Sequence, residues 1–341
     1  MSERKPAGHI IPVEEVKRER IAWLWEPYMQ AGNITVLRGD PGVGKTYFIA
    51  AIMAALAADE QPQGMPGTLH KNNGRALYFG VEDAPATIRA RIESAGAVNL
   101  NGLYISPERI TFKDADRIRE MVADTGADLL IFDPIQAYLG AGVDMNRANE
   151  IRPLMDNLRA IAKDTGCAVL IIEHKNKNQK GDDLYRGIGS MDITAAARSV
   201  LTIVRDIESR NRRYTMQIKT NAKEAKAAAW LITDGGVFKW LGDADKTQSD
   251  IESAQEASRV PAIICVREIM DKHPNGWRGT AGEMIEACGI SKCGINSKQL
   301  GHALNDHAVI DTLYRFFNIS VSVAKGKGRS FYNISRVNAT P

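Results

Sequence analysis

The chain has 341 residues, of which 44% are apolar and 25% charged, and its net charge is only +3. Such a composition is ordinary for a folded protein with a sizeable core, and the length predicts two domains. No stretch approaches the ~20 apolar residues of a membrane span, and the first residues lack the apolar core of a secretory signal, so we expect a cytoplasmic protein with no membrane partner.

The first motif along the chain is a complete phosphate-binding loop, GDPGVGKT, at residues 39–46. Its glycines allow consecutive backbone N–H groups to face phosphate oxygens, Lys45 can reach the β- and γ-phosphates, and the Thr46 hydroxyl can bind Mg²⁺. A β-rich run precedes the loop and an Ala-rich helical segment follows it, which places the phosphates at a helix N-terminus. The residues predicted to bind ATP are Gly39, Asp40, Pro41, Gly42, Val43, Gly44, Lys45, Thr46 and Tyr47.

Beyond the loop, apolar runs of five or six residues alternate with helical segments. The predicted strands are 76–81, 129–133 and 168–172, and the predicted helices are 84–95, 114–123 and 149–163. This alternation is typical of a parallel sheet covered on both faces. Three further strands, at 199–204, 214–219 and 230–233, are expected to form a meander. The sequence therefore predicts an α/β domain with a mainly parallel central sheet.

Two acidic residues lie where predicted strands end. Asp133 closes the strand at 129–133, a position from which a carboxylate can hold the magnesium shell. Glu82 follows the strand at 76–81 and can orient and deprotonate the attacking water, since residues at strand tips face the nucleotide crevice. Asp83 could take this role instead, or the pair could be charges favoured at a helix N-terminus.

The strand at 168–172 leads into a polar segment with three candidate DNA contacts. His174 is suited to sensing the γ-phosphate, or it simply caps the strand. The lysines that can contact a nucleic-acid backbone are Lys175, Lys177 and Lys180. Further on, Arg198 precedes the next strand and can reach a neighbouring subunit's nucleotide to stabilise transition-state charge, or it is an ordinary helix-end arginine.

The C-terminal region has a different pattern. Residues 242–258 are polar and form the predicted linker, followed by helices at 260–272, 280–288 and from 296 to about 306. A period-two segment at 317–323, a basic turn and a second strand complete a predicted winged helix, whose third helix would enter the major groove. The alternatives are the same fold used for protein contacts, or another small domain.

Basic residues are concentrated in this C-terminal region. Residues 251–341 carry 11 Lys and Arg against 8 Asp and Glu, and nothing acidic follows Asp311. A basic stripe of this kind indicates nucleic acid, although a solvated basic tail would look similar. The predicted DNA contacts here are Lys298 in the third helix and Lys325, Lys327 and Arg329 at the hairpin tip, with Ser297, Gln299 and His302 also placed to reach base edges.

The ordered set of motifs resembles the RecA-like ATPase core and, more narrowly, the RepA-type hexameric replicative helicases and related ATPases of phages, plasmids and genomic islands. It comprises WLWEP at 23–27, the phosphate loop, YFGVED at 78–83, IFDP at 131–134, EHKNK at 173–177, and RGIGS at 186–190 with Ala197-Arg198. The resemblance covers roughly residues 15–240. It implies that Glu82 is the catalytic base, Asp133 the second acidic motif, His174 part of the third motif and Arg198 a finger donated across a ring. Lys219 loosely resembles a further trans-acting element.

We therefore expect an ATP- and Mg²⁺-dependent DNA motor that forms a homo-hexamer. Its predicted domains are a RecA-like ATPase at 1–241, the linker at 242–258 and a winged helix at 259–341. Single-stranded DNA would pass through the ring and duplex DNA would bind the winged helix, with a primase as a possible partner in replicating a mobile element. The alternatives are an ATP-gated DNA-binding loader or regulator without unwinding activity, and a recombination or annealing protein. The simplest members of the resembled family lack a C-terminal winged helix.

Overall fold

The computed structural model describes residues 11–18, 20–174, 191–206, 209–257, 260–288, 295–326 and 329–337. Within these ranges, no helix is both long and apolar enough to cross a bilayer. The central feature is a nine-stranded sheet with the order β12-β11-β10-β9-β3-β8-β7-β5-β6. Its strands are β3 (Ile34–Gly39), β5 (Ala76–Gly80), β6 (Leu103–Ser106), β7 (Leu129–Asp133), β8 (Ala168–His174), β9 (Ser199–Arg205), β10 (Arg212–Thr220), β11 (Ala227–Ile232) and β12 (Phe238–Ala244).

Helices cover both faces of this sheet. They are α1 (Lys45–Ala57), α2 (Pro85–Ser94), α3 (Ala115–Thr125), α4 (Ala148–Thr165) and α5 (Met191–Ala196), with short 3₁₀ turns at Val13–Glu15 and Ile135–Tyr138. One core lies between the sheet and α1 and α2, and a second lies on the other face against α3, α4 and α5. Strands β3 and β5 to β9 run parallel, which confirms the predicted α/β class with a mainly parallel sheet.

The parallel pairing brings the predicted site residues to one edge of the sheet. In the register, Gly39 lies opposite His174 and Gly80 lies opposite Asp133. The phosphate loop and the ends of β5, β7 and β8 therefore share the carboxyl edge, where ligands bind in open α/β sheets.

A small second sheet packs over the helix that follows the phosphate loop. It consists of β1 (Trp23–Glu26), β2 (Met29–Gln30) and β4 (Thr68–Leu69), in the order β2-β1-β4. Trp25 is fully buried, stacks on Tyr28 at 4.2 Å between ring centroids and packs edge-on against Trp240 at 5.8 Å. Trp25 is therefore part of the apolar core beside α1.

Residues 260–337 form a smaller α/β unit with its own apolar core. Its elements are α7 (Pro261–Lys272), β13 (Trp277–Gly279), α8 (Ala281–Cys288), α9 (Ser297–Ala303), α10 (His307–Phe317), β14 (Ile319–Gly326) and β15 (Arg329–Arg336), and its sheet order is β13-β15-β14. A capping box begins α8, because Thr280 N donates to Glu283 Oε2 at 2.7 Å and Glu283 N donates to the Thr280 hydroxyl at 3.3 Å.

The third predicted helix ends a few residues earlier than expected, and a fourth helix that was not predicted follows it. α9 ends at Ala303, and Asp306 begins α10 by accepting a hydrogen bond from Ala308 N at 2.9 Å. An aspartate at this position starts a helix rather than ending one. Phe317 is accordingly the last residue of α10 and not the first of a strand, and Asn318, with φ of +52°, ends that helix before β14.

The region predicted as a linker at 242–258 is also more ordered than expected. Strand β12 continues to Ala244, and helix α6 (Gln248–Ala257) occupies most of the rest. Reciprocal bonds between Thr247 and Asp250 cap this helix, from Thr247 N to the carboxylate at 2.8 Å and from Asp250 N to the hydroxyl at 3.1 Å. The low content of large apolar residues concealed both elements, since β12 is an edge strand with alternate exposed residues.

Candidate nucleotide-hydrolysis site

The phosphate loop connects β3 to α1 and depends on two glycines in particular. A Cβ atom on Gly39 would lie 2.8 Å from Val43 Cγ1 and 3.1 Å from the Ile203 carbonyl oxygen. Gly44 has φ of +107°, and a Cβ there would lie 3.1 Å from the Trp230 ring. Only glycine fits both places without displacing the neighbours.

Lys45 is the first residue of α1 and is buried, with 7% of its surface exposed. Its ammonium group donates to the carbonyl oxygens of Gly39 at 2.8 Å and Asp40 at 3.1 Å, both in its own loop. The positive charge is thus held directly over the curve of the loop, where a triphosphate would bind.

Asp133 is buried at the end of β7, and Tyr78 from β5 donates a hydrogen bond to its Oδ2 at 2.9 Å. Burial raises the pKa of Asp133 to about 6, while the Tyr78 hydrogen bond opposes this rise. The negative charge of Glu82 raises the pKa further and the charge of Lys45 lowers it. Asp133 therefore interacts electrostatically with Glu82 and Lys45, two of the predicted catalytic groups.

Glu82 and Asp83 follow β5 but have different surroundings. Glu82 is exposed and lines the same cavity as Lys45 and Asp133. Asp83 forms an ion pair with Arg91 of α2, and the Arg91 guanidinium lies 5.3 Å from the centroid of the Tyr47 ring. Because Glu82 lines the cavity, it is the better placed of the two to act on a water molecule there.

The cavity at this edge of the sheet has a volume of about 680 Å³, within the range of small-molecule sites. Six of the nine residues predicted to bind ATP line it, together with Glu82 and Asp133. Its lining residues are Pro41, Gly42, Gly44, Lys45, Thr46, Tyr47, Glu82, Arg91, Asp133, Arg210, Asn211, Arg213, Ile232, Thr233 and Asp234.

Several arginines of this site were not predicted from the sequence. Arg205 donates to the Gly42 carbonyl oxygen at 3.0 Å, and Arg213 donates to the Val43 carbonyl oxygen at 3.1 Å, so two strands of the meander hold the loop from outside. Arg91, Arg210 and Arg213 line the cavity itself. The only sequence signal was the basic run at 210–213 between two predicted strands.

Arg198 lies at the amino end of the parallel strands, opposite to the phosphate loop. Its backbone N–H donates to the Ile34 carbonyl oxygen at 2.9 Å, beside the start of β3, and its side chain is exposed. Five residues of strand separate Ile34 from Gly39, so at ~3.3 Å per residue Arg198 is roughly 16 Å from its own phosphate loop. It does not line the cavity around the phosphate loop of its own chain.

Lys219 is engaged within its own chain. Its ammonium group donates to the carbonyl oxygens of Thr194 at 2.8 Å and Ala197 at 2.9 Å, which lie at the end of α5. Burial, and then the nearby charges of Arg198 and Arg38, lower its pKa. These bonds give Lys219 an intramolecular role that the loose resemblance to a trans-acting element did not predict.

The remaining predicted residues are only partly described. The backbone of His174 ends β8 opposite Gly39, but Lys175, Lys177, Lys180 and the motif at 186–190 lie outside the described residues. In the C-terminal unit, Ser297, Lys298, Gln299 and His302 are all exposed on α9, and Lys325 is exposed near the end of β14. Arg329 begins β15, and Lys327 lies outside the described residues.

Comparison with known proteins gives matches that each cover less than half of the chain. An AAA domain family model matches residues 12–180. The DNA repair protein RadA of Streptococcus pyogenes serotype M1 is 25% identical over 148 residues, which are 43% of this chain and 28% of the relative. RadA of Halalkalibacterium halodurans is also 25% identical over 148 residues, with the same shares. RadA of Mycobacterium tuberculosis strain H37Rv is 23% identical over 150 residues. The chain thus matches little more than a quarter of the length of these relatives.

Proposed function

We infer that the chain, a RecA-like P-loop ATPase, hydrolyses ATP at the 39–46 loop and uses the energy to act on DNA as a ring-forming motor. One observation carries this proposal. The groups suited to phosphoryl transfer meet in one cavity at the carboxyl edge of the sheet, whereas Arg198 is exposed at the opposite edge. A site of this kind is completed by a second copy of the chain.

In the proposed hydrolysis step, each catalytic side chain has one role. Glu82 accepts a proton from the water whose oxygen attacks the γ-phosphorus, and the bond between that phosphorus and the β-phosphate oxygen breaks to leave ADP. Lys45 leaves its two carbonyl acceptors and donates to the β- and γ-phosphate oxygens instead. His174, at the tip of the strand beside the loop, is proposed to sense the γ-phosphate.

The donors present also fit a magnesium ion. The Thr46 hydroxyl and the buried Asp133 carboxylate line one cavity, and Mg²⁺ prefers hard oxygen ligands while keeping several waters. Such an ion would supply positive charge to the β- and γ-phosphate oxygens. In the absence of that charge, burial works against the ionised form of Asp133, which is consistent with its raised pKa.

Arg198 is proposed to act on the nucleotide of a neighbouring subunit. Charge that develops on the transferred phosphoryl group is stabilised by an arginine supplied from outside the site in many NTPases. A head-to-tail arrangement would give each interface one phosphate loop and one Arg198, and closure of that arrangement would give a ring. We favour a hexamer by resemblance to the replicative helicases.

DNA is the proposed substrate of the ATP-driven motor. The C-terminal unit has the element order of a winged helix, with one additional helix, and α9 presents exposed polar and basic residues suited to base and phosphate contacts. The RadA relatives are DNA repair proteins by name, which also points to DNA and favours a second candidate, a RecA-like recombination protein. Replication of a mobile element, with a primase as partner, remains our preferred role.

Strand displacement on a forked duplex tests the preferred function. We expect ATP-dependent unwinding by the wild-type protein and none by Lys45→Ala, with closed rings in electron microscopy on single-stranded DNA and an ATP analogue. ATP hydrolysis with strand exchange, filaments and no unwinding would favour the recombination protein. Hydrolysis and DNA binding with neither activity would favour a loader or regulator.

A further inference from the structure

Arg38 is the residue immediately before the phosphate loop, and it is almost completely buried, with 1% of its surface exposed. Its Nε donates to Glu173 Oε2 at 2.6 Å, and its Nη2 donates to the Thr194 hydroxyl at 2.5 Å. Glu173 pairs with Arg38 in the β3–β8 register and directly precedes His174. The guanidinium thus joins the start of the loop, the tip of β8 and helix α5.

Stability alone does not account for a charge in this place. A buried ion pair pays a large desolvation penalty, and apolar residues of similar volume often stabilise a protein equally well. The cost is visible at Glu173, which is 0% exposed and whose second oxygen, Oε1, accepts no hydrogen bond from the described residues. Burial accordingly raises the pKa of this carboxyl, although Arg38 opposes the rise. An arrangement kept at this cost is suited to holding three elements in a fixed relation.

Helix α5 connects this arrangement to Arg198. The helix ends at Ala196, and Lys219 holds its last turn through the carbonyl oxygens of Thr194 and Ala197. Arg198 follows Ala197 directly in the chain. A displacement of α5 therefore moves the backbone that carries the proposed finger, and the Thr194 hydroxyl is the point at which the loop side is attached to that helix.

We propose that Arg38 is a positioning residue that transmits the nucleotide state of the 39–46 loop, through Thr194 and α5, to the arginine offered to the next subunit. The role of Arg198 in this inference rests on the proposed function, but the coupling between the loop and α5 does not. Occupied loops would hold α5 and Arg198 in one position, and empty loops would release them. Neighbouring sites in a ring would then hydrolyse ATP in a defined order.

Hydrogen exchange of the full-length protein tests the coupling directly. In the wild type, we expect ATPγS to slow amide exchange in peptides that cover α5. Thr194→Val keeps the side-chain volume but removes the hydroxyl, so this nucleotide-dependent protection should fall about tenfold, as expected for loss of one hydrogen bond to a charged group. ATPγS affinity should stay near the wild-type value, because Thr194 does not line the cavity.

Two further variants make the result specific. Thr202→Val is the matched control, since Thr202 is also fully buried and pairs with Arg38 in the β3–β9 register, but its hydroxyl has no hydrogen-bond partner among the described residues. It should keep the protection, and Thr194→Ser should restore it. The double variant Arg38→Met/Glu173→Met removes the charges together, and it should remain folded while losing the response of α5.

The outcomes separate the coupling from the proposed function. Full protection of α5 in Thr194→Val, or equal loss in Thr202→Val, would overturn the coupling. In steady-state assays we expect Thr194→Val to lower kcat with little change in KM, because binding is retained while the neighbour's site loses its arginine. ATPγS binding to the wild type without any change at α5 would refute the coupling alone. A wild-type protein that bound no ATPγS would refute both.

Discussion

Replacing Tyr78 by phenylalanine should make ATP hydrolysis more sensitive to acid. The Tyr78 hydroxyl donates at 2.9 Å to Asp133, and this bond keeps the pKa of the carboxyl from rising beyond about 6. A hydrogen bond to a charged group contributes about 1.5–3 kcal/mol, which corresponds to about 1 to 2 pKa units. The pKa of Asp133 should therefore rise to roughly 7 or 8 in Tyr78→Phe.

The direction of the pH effect depends on the ionised form of Asp133, which hydrolysis requires. The ionised carboxylate holds the magnesium shell, so activity is lost as the pH falls through its pKa. At pH 7 the ionised fraction should drop from about nine tenths in the wild type to between about a half and a tenth in the variant. At pH 9 the two proteins should be nearly equal, because the carboxyl is ionised in both.

The assay is kcat/KM for ATP as a function of pH at subsaturating Mg²⁺, since this ratio reports the pKa values of the free enzyme. Tyr138→Phe is a matched control, because Tyr138 is equally buried near Asp133 but makes no side-chain hydrogen bond to it among the described residues. An acid limb that stays in place in Tyr78→Phe, or that moves by the same amount in Tyr138→Phe, would refute the reasoning.

Three other changes test the remaining parts of the site. Glu82→Gln should retain ATP binding in a fluorescence titration while lowering turnover about 10²–10⁴-fold, as expected for loss of a general base, and a small decrease would exclude that role. Arg198→Ala should bind ATP without hydrolysing it, and mixing it with Lys45→Ala should restore activity because one protein supplies the intact loop and the other the arginine; an inactive mixture, or full turnover by monomeric Arg198→Ala, would contradict action in trans. Gly39→Ala should weaken ATP binding severely, since its Cβ would lie 2.8 Å from a methyl carbon of the loop's valine. Gly282→Ala, whose Cβ would lie at an ordinary 3.9 Å from the Thr280 hydroxyl, should leave binding unchanged in the same titration.

The sequence predicted the core of the sheet because its parallel strands are buried on both faces. Such strands appear as continuous apolar runs, and those at 76–80, 129–133 and 168–174 were found within two residues of their bounds. Strands β1, β2 and β4 are only two to four residues long, too short to show a periodicity, and β4 pairs with β1 across more than 40 residues, as between Trp25 and Leu69. No local pattern could indicate them.

Site residues that belong to a local motif were predictable from the sequence. Site residues that reach the loop from distant strands were not. The loop, Glu82 and Asp133 stand next to recognisable strands, so their convergence follows from the parallel topology. Arg205 and Arg213 reach the loop from a hairpin some 165 residues away in sequence, at separations of 163 and 170 residues. Their roles depend on how the meander folds back, which composition and periodicity do not specify.

The position of β3 between β8 and β9 has a consequence for how the chain acquires its activity. The loop is a short local motif, but the strand that carries it pairs only with partners far along the chain, and the Arg38–Glu173 bond spans 135 residues. A nascent chain that ends before β9 contains the loop motif but lacks one of the two strands that flank β3. Contacts between residues so far apart in sequence make folding slow. A nucleotide that binds only the folded domain stabilises it by about 2.7 kcal/mol when its concentration is a hundredfold above Kd. ATP is therefore expected to act as a folding ligand as well as a fuel.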